Sequence, residues 1–505
     1  MDLDRARPGT KTQLGLATIA AAALLGLTCD LLLRPAPSGI NVAICTALLI
    51  ATAVGLARRW ALPLVGGGRW LLPPALAFAA ALVWRDSPAL QALNALALLV
   101  TLALGLVRLR AGRICVGGVV EHLFVCLQAG VGAVLGPFFL TLEDVRWREL
   151  PRDGRWYGPT RAIGRGVLLA APLLLVFGAL FIAADAVFAG LITQVFRLDI
   201  AALFGHLVLI CFLGWVIAGL LRVVFFDRDW GVRVGTPPGG LALGAIEIGI
   251  ILGLLNLLFL AFVIVQVRYL FGGEALVLVS STLTYAEYAR RGFFELTTVS
   301  ALVLPVLLLV HWGVRATDRA AMRLFRPLAG TLVALLFAIM ASAIRRMRLY
   351  QETYGLTELR LYTTAFMAWL ALVFVWFLAT VLRGRRDYFA CGALVSGLAV
   401  LALLNALNPD AMIIRANASL ATAPASNRAF DSRYGTSLSG DAVPDLIAAL
   451  PALDPIRQRE IARGLLDTWA APPARDWRNW NHGRWSAWDA VAANRAQLEA
   501  YARQR

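Results

Sequence analysis

Six ionisable side chains lie inside or at the edge of long apolar runs: Asp30, Glu121, His122, Asp185, His206 and Glu247. A charged group at the centre of a bilayer costs about 3 kcal/mol unless it is paired or wet. Carboxylates and imidazoles in such places either pass protons or cations along, or pair across helices and hold a bundle together. Glu247 stands out because it lies in the first third of a long apolar span that also holds Asn256 and Gln266. With Asp185, in FIAADAVFAG, these residues are the candidate polar path through the chain.

A second constellation is TYAEYARRGFFEL, Thr284–Leu296. As a helix it places Glu287 and Arg291, then Arg291 and Glu295, four residues apart, each pair worth about 0.2–0.5 kcal/mol when exposed. Tyr285 and Tyr288 fall on a neighbouring face. One reading is an amphipathic interfacial helix that turns the chain back into the bilayer. The sharper one is a gate of Tyr285, Glu287, Tyr288, Arg291 and Glu295 over the polar path. A third constellation, ARDWRNWNHGRWSAWDA, carries Trp477, Trp480, Trp485 and Trp488 among arginines. Such rings suit a membrane-interface anchor. They equally suit the core of a small helical domain.

Other chemistries find little support. The histidines are His122, His206, His311 and His482, with no HxxxH, so no zinc motif is present and no metal or other cofactor is expected. A phosphate-binding loop needs GK[ST], and the sole lysine, Lys11, has no glycine before it. GTSLSG, Gly435–Gly440, is a poor match to a serine-nucleophile elbow, and VSG, Val395–Gly397, has no histidine at a useful spacing. No enzyme is expected. The six cysteines show no CxxC spacing and read as small buried hydrophobes.

The elements that carry these residues are membrane helices. The chain is 59% hydrophobic and 15% charged, against about 45–50% and about 25% in soluble domains. The apolar residues come in runs of about 20, the length of a membrane span. Eleven spans are predicted at 14–33, 40–57, 70–84, 88–107, 166–195, 200–221, 241–267, 297–314, 327–344, 362–382 and 387–406. The segment 115–140 is apolar but holds Glu121 and His122 and breaks at Gly136–Pro137.

The net charge of +16 resides mostly in arginines of short loops, which is the pattern of cytoplasmic anchoring and not of nucleic-acid binding. With the N-terminus inside, most Arg clusters fall inside only if 115–140 does not cross. Arg345, Arg346 and Arg348 alone dissent. The expected organisation is therefore a cytoplasmic segment 1–13, N-terminal spans in 14–114, and a re-entrant or interfacial segment with an Arg-rich loop in 115–165. A transmembrane core at 166–407 and a polar helical tail at 408–505, outside, complete it. In the tail, Asp454-Pro455 reads as a helix start, followed by Ile461, Leu465 and Trp469 at helical spacing. The fold class is all-α, a polytopic transmembrane bundle with a small C-terminal helical domain.

EIGIILGLLNLLFLAFVIVQVRYLFGG (Glu247–Gly273), the stretch Thr284–Leu296, YGLTELRLYTTAFMAWLALVFVWF (Tyr354–Phe377), LNPDAMIIRAN (Leu407–Asn417) and LSGDAVPDLI (Leu438–Ile447) carry a resemblance. They resemble an uncharacterised family of bacterial multi-pass membrane proteins, domain of unknown function 4173, similar to 4153, over roughly residues 160–505. The resemblance implies a helical core in the bacterial cytoplasmic (inner) membrane and assigns no activity. The function expected is transporter-like or channel-like, around the polar path. The alternative is a non-catalytic sensor or envelope assembly factor working through the tail. The lipid bilayer is the one partner the sequence implies, and neither a solute nor a protein partner can be named.

Overall fold

The computed structural model describes residues 8–34, 39–113, 115, 117–147, 200–227, 242–271, 293–314, 318–423, 429–471 and 476–504. The expected span 166–195 with Asp185, and the gate residues Tyr285, Glu287, Tyr288 and Arg291, lie outside the described residues.

Helices dominate because the apolar runs are rich in Leu and Ala and broken mainly at Pro, Gly and Arg. In order they are α1 (Pro8–Leu33), α2 (Ile40–Arg59), α3 (Leu72–Trp84), α4 (Pro88–Val107), α5 (Val119–Phe139), α6 (Ile200–Phe225), α7 (Ala245–Phe271), α8 (Phe293–Gly313), α9 (Arg319–Tyr354), α10 (Glu358–Thr380) and α11 (Phe389–Leu407). The tail adds α12 (Pro409–Ala421), α13 (Ser432–Ser437), α14 (Val443–Ala449), α15 (Pro455–Trp469), α16 (His482–Ala493) and α17 (Arg495–Arg503). Ten helices among the described residues are long and apolar enough to cross a membrane. Their outer faces carry bare leucines, among them Leu254, Leu257 and Leu258 on α7. Such a surface is stable in lipid and not in water.

Contacts between helix ends define two faces. At the tail face, the end of α1 receives Arg478 on the Leu31 carbonyl at 2.7 Å. The start of α2 donates Ile40 N–H to the Trp480 carbonyl at 3.0 Å. At the far face, Gly66 N–H meets the Leu109 carbonyl at 3.1 Å, and Leu243 N–H meets that of Gly313 at 2.7 Å. Helix α3 has only 13 residues. A short turn at Gly67–Leu71 extends it, so the strand of chain reaches from the Arg108 carbonyl to the Asn405 carbonyl at the opposite face.

α5 behaves differently. Its approach is tied to the far face by the Cys115–Cys391 disulfide and by Gly117 N–H on the Asp387 carbonyl at 3.1 Å. Just past its end, Asp144 pairs with Lys11 at 3.1 Å and Arg222 at 2.7 Å, again far-face residues. The pairing of Cys115 with Cys391 corrects the reading of all six cysteines as small hydrophobes. That reading weighed local spacing alone, and these two are 276 residues apart.

Glycines let α5 approach α6. A Cβ on Gly219 would fall 2.4 Å from the Gly132 carbonyl oxygen and 2.6 Å from that of Ala133, both backbone atoms that cannot turn aside. Small residues at such crossings are what bring membrane helices into contact. Gly219→Val is expected to cost about 1–3 kcal/mol, read as a lower thermal midpoint of the purified protein. Gly253→Val, with nothing within 4 Å of its Cβ, should leave the midpoint in place. Equal midpoints for both variants would refute the close crossing.

The tail has its own apolar core of Ile413, Leu446, Leu450, Ile461, Leu465, Val491 and Leu498. α15 starts as the sequence suggests: Asp454 caps it by accepting Arg457 N–H at 3.1 Å, with Pro455 in the first turn.

Candidate functional site

Where the tail meets the tail face of the bundle, charged side chains are buried together. The turn between α3 and α4 supplies Arg85, Asp86 and Ser87. The α11–α12 corner supplies Asn408 and Asp410. The start of α14 is preceded by Ser439, Gly440 and Asp441, and α16 opens on Asn481 and Arg484. Asn408 takes the left-handed conformation, φ 54°, that this sharp corner requires, and its side chain caps α12 on Ala411 N–H.

Two carboxylates cap each other's turns. Asp441 Oδ2 accepts the backbone N–H of Asp86 at 2.7 Å and of Ser87 at 3.0 Å, at the start of α4. Asp86 Oδ2 accepts Gly440 N–H at 3.2 Å, and its Oδ1 takes Arg484 at 2.9 Å. Arg85 approaches Asp441 at 3.8 Å, donates to the Asn405 carbonyl at 2.7 Å and lies over the Trp84 ring at 4.5 Å. Asn481 Nδ2 donates to the Leu82 and Arg85 carbonyls at 2.9 and 2.8 Å, closing the end of α3. Below, Asn94 and Asn405 exchange amide hydrogen bonds at 2.9 and 2.8 Å between α4 and α11.

Asp410 is the innermost group, with no exposed surface. Its Oδ2 accepts the Ser439 hydroxyl and backbone N–H, while its Oδ1 is buried with no hydrogen-bond partner. A buried acceptor in that state is costly as a carboxylate and cheaper as a carboxylic acid, which can itself donate. Burial raises the Asp410 pKa, against the Ser439 hydrogen bonds and a weaker one from the Ser87 hydroxyl, and helped by the charge of Asp86. Burial likewise pushes Asp441 up to about 6, against the Asp86 and Ser87 amides and Arg85. Asp86, Asp410, Asp441 and the nearby Glu358 thus outnumber the guanidiniums of Arg85 and Arg484, and protonation reduces that excess of negative charge.

The residues singled out from sequence lie elsewhere. Glu247 is exposed and caps its own helix, accepting Gly244 N–H at 2.9 Å. Asn256 donates to the Leu328 carbonyl of α9 at 3.0 Å, and Gln266 accepts from Ser342 at 3.0 Å and Arg346 at 2.6 Å. The three are strung along α7 roughly 14 and 15 Å apart, each at a separate contact. Arg346 belongs to the dissenting Arg cluster, and Gln266 gives it a partner. Asp30 is held by His206 and Arg34. Glu121 caps α5 on Gly118 N–H, and the His122 ring meets the Gly118 carbonyl. Glu295 is exposed in the first turn of α8.

Of the tryptophans, Trp477 is 59% exposed. Trp480 meets Trp485 edge-on at 6.4 Å, and Trp488 lies 5.9 Å from Trp469, so these rings pack within the tail. Among the described residues no group of three or more His, Cys, Asp or Glu is placed to hold a metal ion.

Sequence reasoning overlooked Asp86, Asp410 and Asp441 because they sit in polar connections and not in apolar runs. The signal was there in LNPD and LSGD, two of the segments that carry the family resemblance.

Helices of spanning length with lipid-suited outer faces define a multi-pass helical membrane protein. A model of a domain of unknown function (DUF4153) matches residues 72–449, and the chain belongs to that family. Of the two similar families that the sequence resembles, 4173 and 4153, the match is to 4153, and it starts at residue 72 where the resemblance was read from about 160. The earlier start takes in Arg85 and Asp86 together with Asp410 and Asp441. Arg484 falls beyond the match. No curated protein and no solved structure matches the chain.

Proposed function

We propose that this is a non-enzymatic, proton-responsive membrane protein whose working part is the acidic junction between bundle and tail. The observation that carries the reading is the Asp410 carboxylate, wholly buried with one oxygen unpartnered, beside Asp441 and Asp86. Protonation relieves the excess negative charge and seats the tail. Deprotonation loosens it. This is the sensor reading, with the junction in place of the tryptophans as the responsive element.

The orientation belongs to the same proposal. The far face carries Arg58, Arg59, Arg108, Arg110, Arg113, Arg383, Arg385 and Arg386. By the positive-inside rule it faces the cytoplasm of a bacterial inner membrane. The tail then lies outside, where it meets external pH. Helix α5 returns to the cytoplasmic face, which supports the re-entrant reading of 115–140; the eleven-span count then leaves out α5 and takes in the short α3 and the expected span 166–195.

Transport along α7 is the second reading. It is favoured by Asn256 Oδ1, buried without a partner between α7 and α9. One experiment separates the two. Spin labels at the exposed positions Leu31 and Ile456 report the distance from bundle to tail, and a second pair on α7 and α9 reports their separation. The proton-sensor reading expects the first distance to lengthen between pH 4.5 and 7.5 while the second holds. A first distance identical at both pH values would sink it.

A further inference from the structure

The far face holds a second site, independent of the acidic junction. A cavity of about 620 Å³ opens between α3 and α11. Its rim is Trp70, Tyr388 and Arg113, and its wall is Leu71, Leu394 and Leu398. Leu394 and Leu398 also line a second cavity of about 600 Å³ between α4, α10 and α11, walled by Leu93, Val100, Phe366 and Leu404. The two adjoin at Leu394 and Leu398, so two neighbouring apolar grooves line α11 from the far face toward the tail face.

The rim has the chemistry of a bilayer boundary. Trp70 is 71% exposed and Tyr388 50% exposed, and aromatic rings with a polar edge favour the headgroup layer. Arg69 lies over the Trp70 ring at 5.3 Å. The Arg113 guanidinium has no partner among the described residues, and no carboxylate lines the cavity. Asp387, next to Tyr388, is turned to Arg386 at 3.8 Å. The loop bearing Arg113 is fixed to α11 through Cys115 and Cys391 and through Gly117 on Asp387. The cation is therefore held at the mouth of the grooves.

The geometry points to a binding site for one anionic phospholipid, its phosphate on Arg113 and its acyl chains in the two apolar grooves along α11. Charge complementarity selects the head: a lone guanidinium in a carboxylate-free rim matches a phosphate, which it can grip with two parallel hydrogen bonds. The grooves select the rest. Each cavity lies within the about 300–1,000 Å³ of small-ligand sites, and the lining beyond the rim is hydrocarbon. Basic pockets between membrane helices hold anionic headgroups by these same forces.

Native mass spectrometry of the full-length protein in detergent tests this, with dioleoyl phosphatidylglycerol and dioleoyl phosphatidylcholine titrated separately. One phosphatidylglycerol is expected to bind about fivefold more tightly than phosphatidylcholine, the effect of one arginine beside an anionic group. Arg113→Ala should remove that preference and Arg113→Lys should keep most of it. Leu398→Trp, which fills the grooves where they adjoin, should weaken both lipids. Soluble glycerol phosphate should not compete. Equal affinity for the two lipids, a preference that survives Arg113→Ala, or displacement by glycerol phosphate alone would each overturn the site. Arg113 is exposed, so its variants should keep the parent thermal midpoint.

Discussion

Asp441→Ala is expected to lower the stability of the bundle–tail junction by about 2–6 kcal/mol, from about 1–3 kcal/mol for each of two buried backbone donors left without an acceptor. The substitution leaves Arg85, 7% exposed, without its carboxylate. It also strips the acceptor from the backbone N–H groups of Asp86 and Ser87 at the start of α4. Each orphaned donor adds to the loss. The measurement is the thermal midpoint of the purified full-length protein, together with protease cutting in the tail. Asp445→Ala is the control. Asp445 pairs with Arg415 at 3.6 Å near solvent, and such a pair contributes about 0–1 kcal/mol. Matching midpoints for the two variants would remove the junction from consideration.

The second large effect is on pH. Asp441 titrates near 6 in the seated junction, against 3.8 for the free group. A carboxyl whose pKa is raised on burial favours the seated state below its free pKa. That contribution fades as pH rises through the seated value. Seating is therefore tightest near pH 4 and weakens toward pH 6, by about 3 kcal/mol at 1.36 kcal/mol per unit. Asp410 shifts the same way. Asn in place of Asp441 keeps an acceptor for the two amides and loses the titration. Asp441→Asn should thus flatten the dependence of the Leu31–Ile456 distance on pH, and adding Asp410→Asn should abolish it. A double variant that still opens with rising pH would place the proton elsewhere.

The membrane helices were legible because hydrophobic runs of spanning length have few alternatives. The start of α15 was legible because Asp-Pro followed by Ile461 and Leu465 leaves a local signature. The roles of Glu247 and Asn256 were not. A polar residue in an apolar run reads as a cost to be explained, and the structure explains one by a cap on Gly244 and the other by a carbonyl of α9. Asp86, Asp410 and Asp441 show the converse. Carboxylates in loops are ordinary, and what makes these unusual is burial, which arises only when the α3–α4 turn meets segments more than 300 residues away. A separation of 276 residues likewise hid Cys115 from Cys391.

That disulfide makes the chain topologically a closed loop with two free arms. Everything from α5 through α10 lies within the loop, while α1 to α4, α11 beyond Cys391 and the tail hang from it. A cut in the peptide backbone anywhere between Cys115 and Cys391 therefore leaves the molecule in one covalent piece until the bond is reduced. The integrity of a nicked chain therefore depends on whether Cys115 and Cys391 stay oxidised, which the redox state of the surrounding compartment decides.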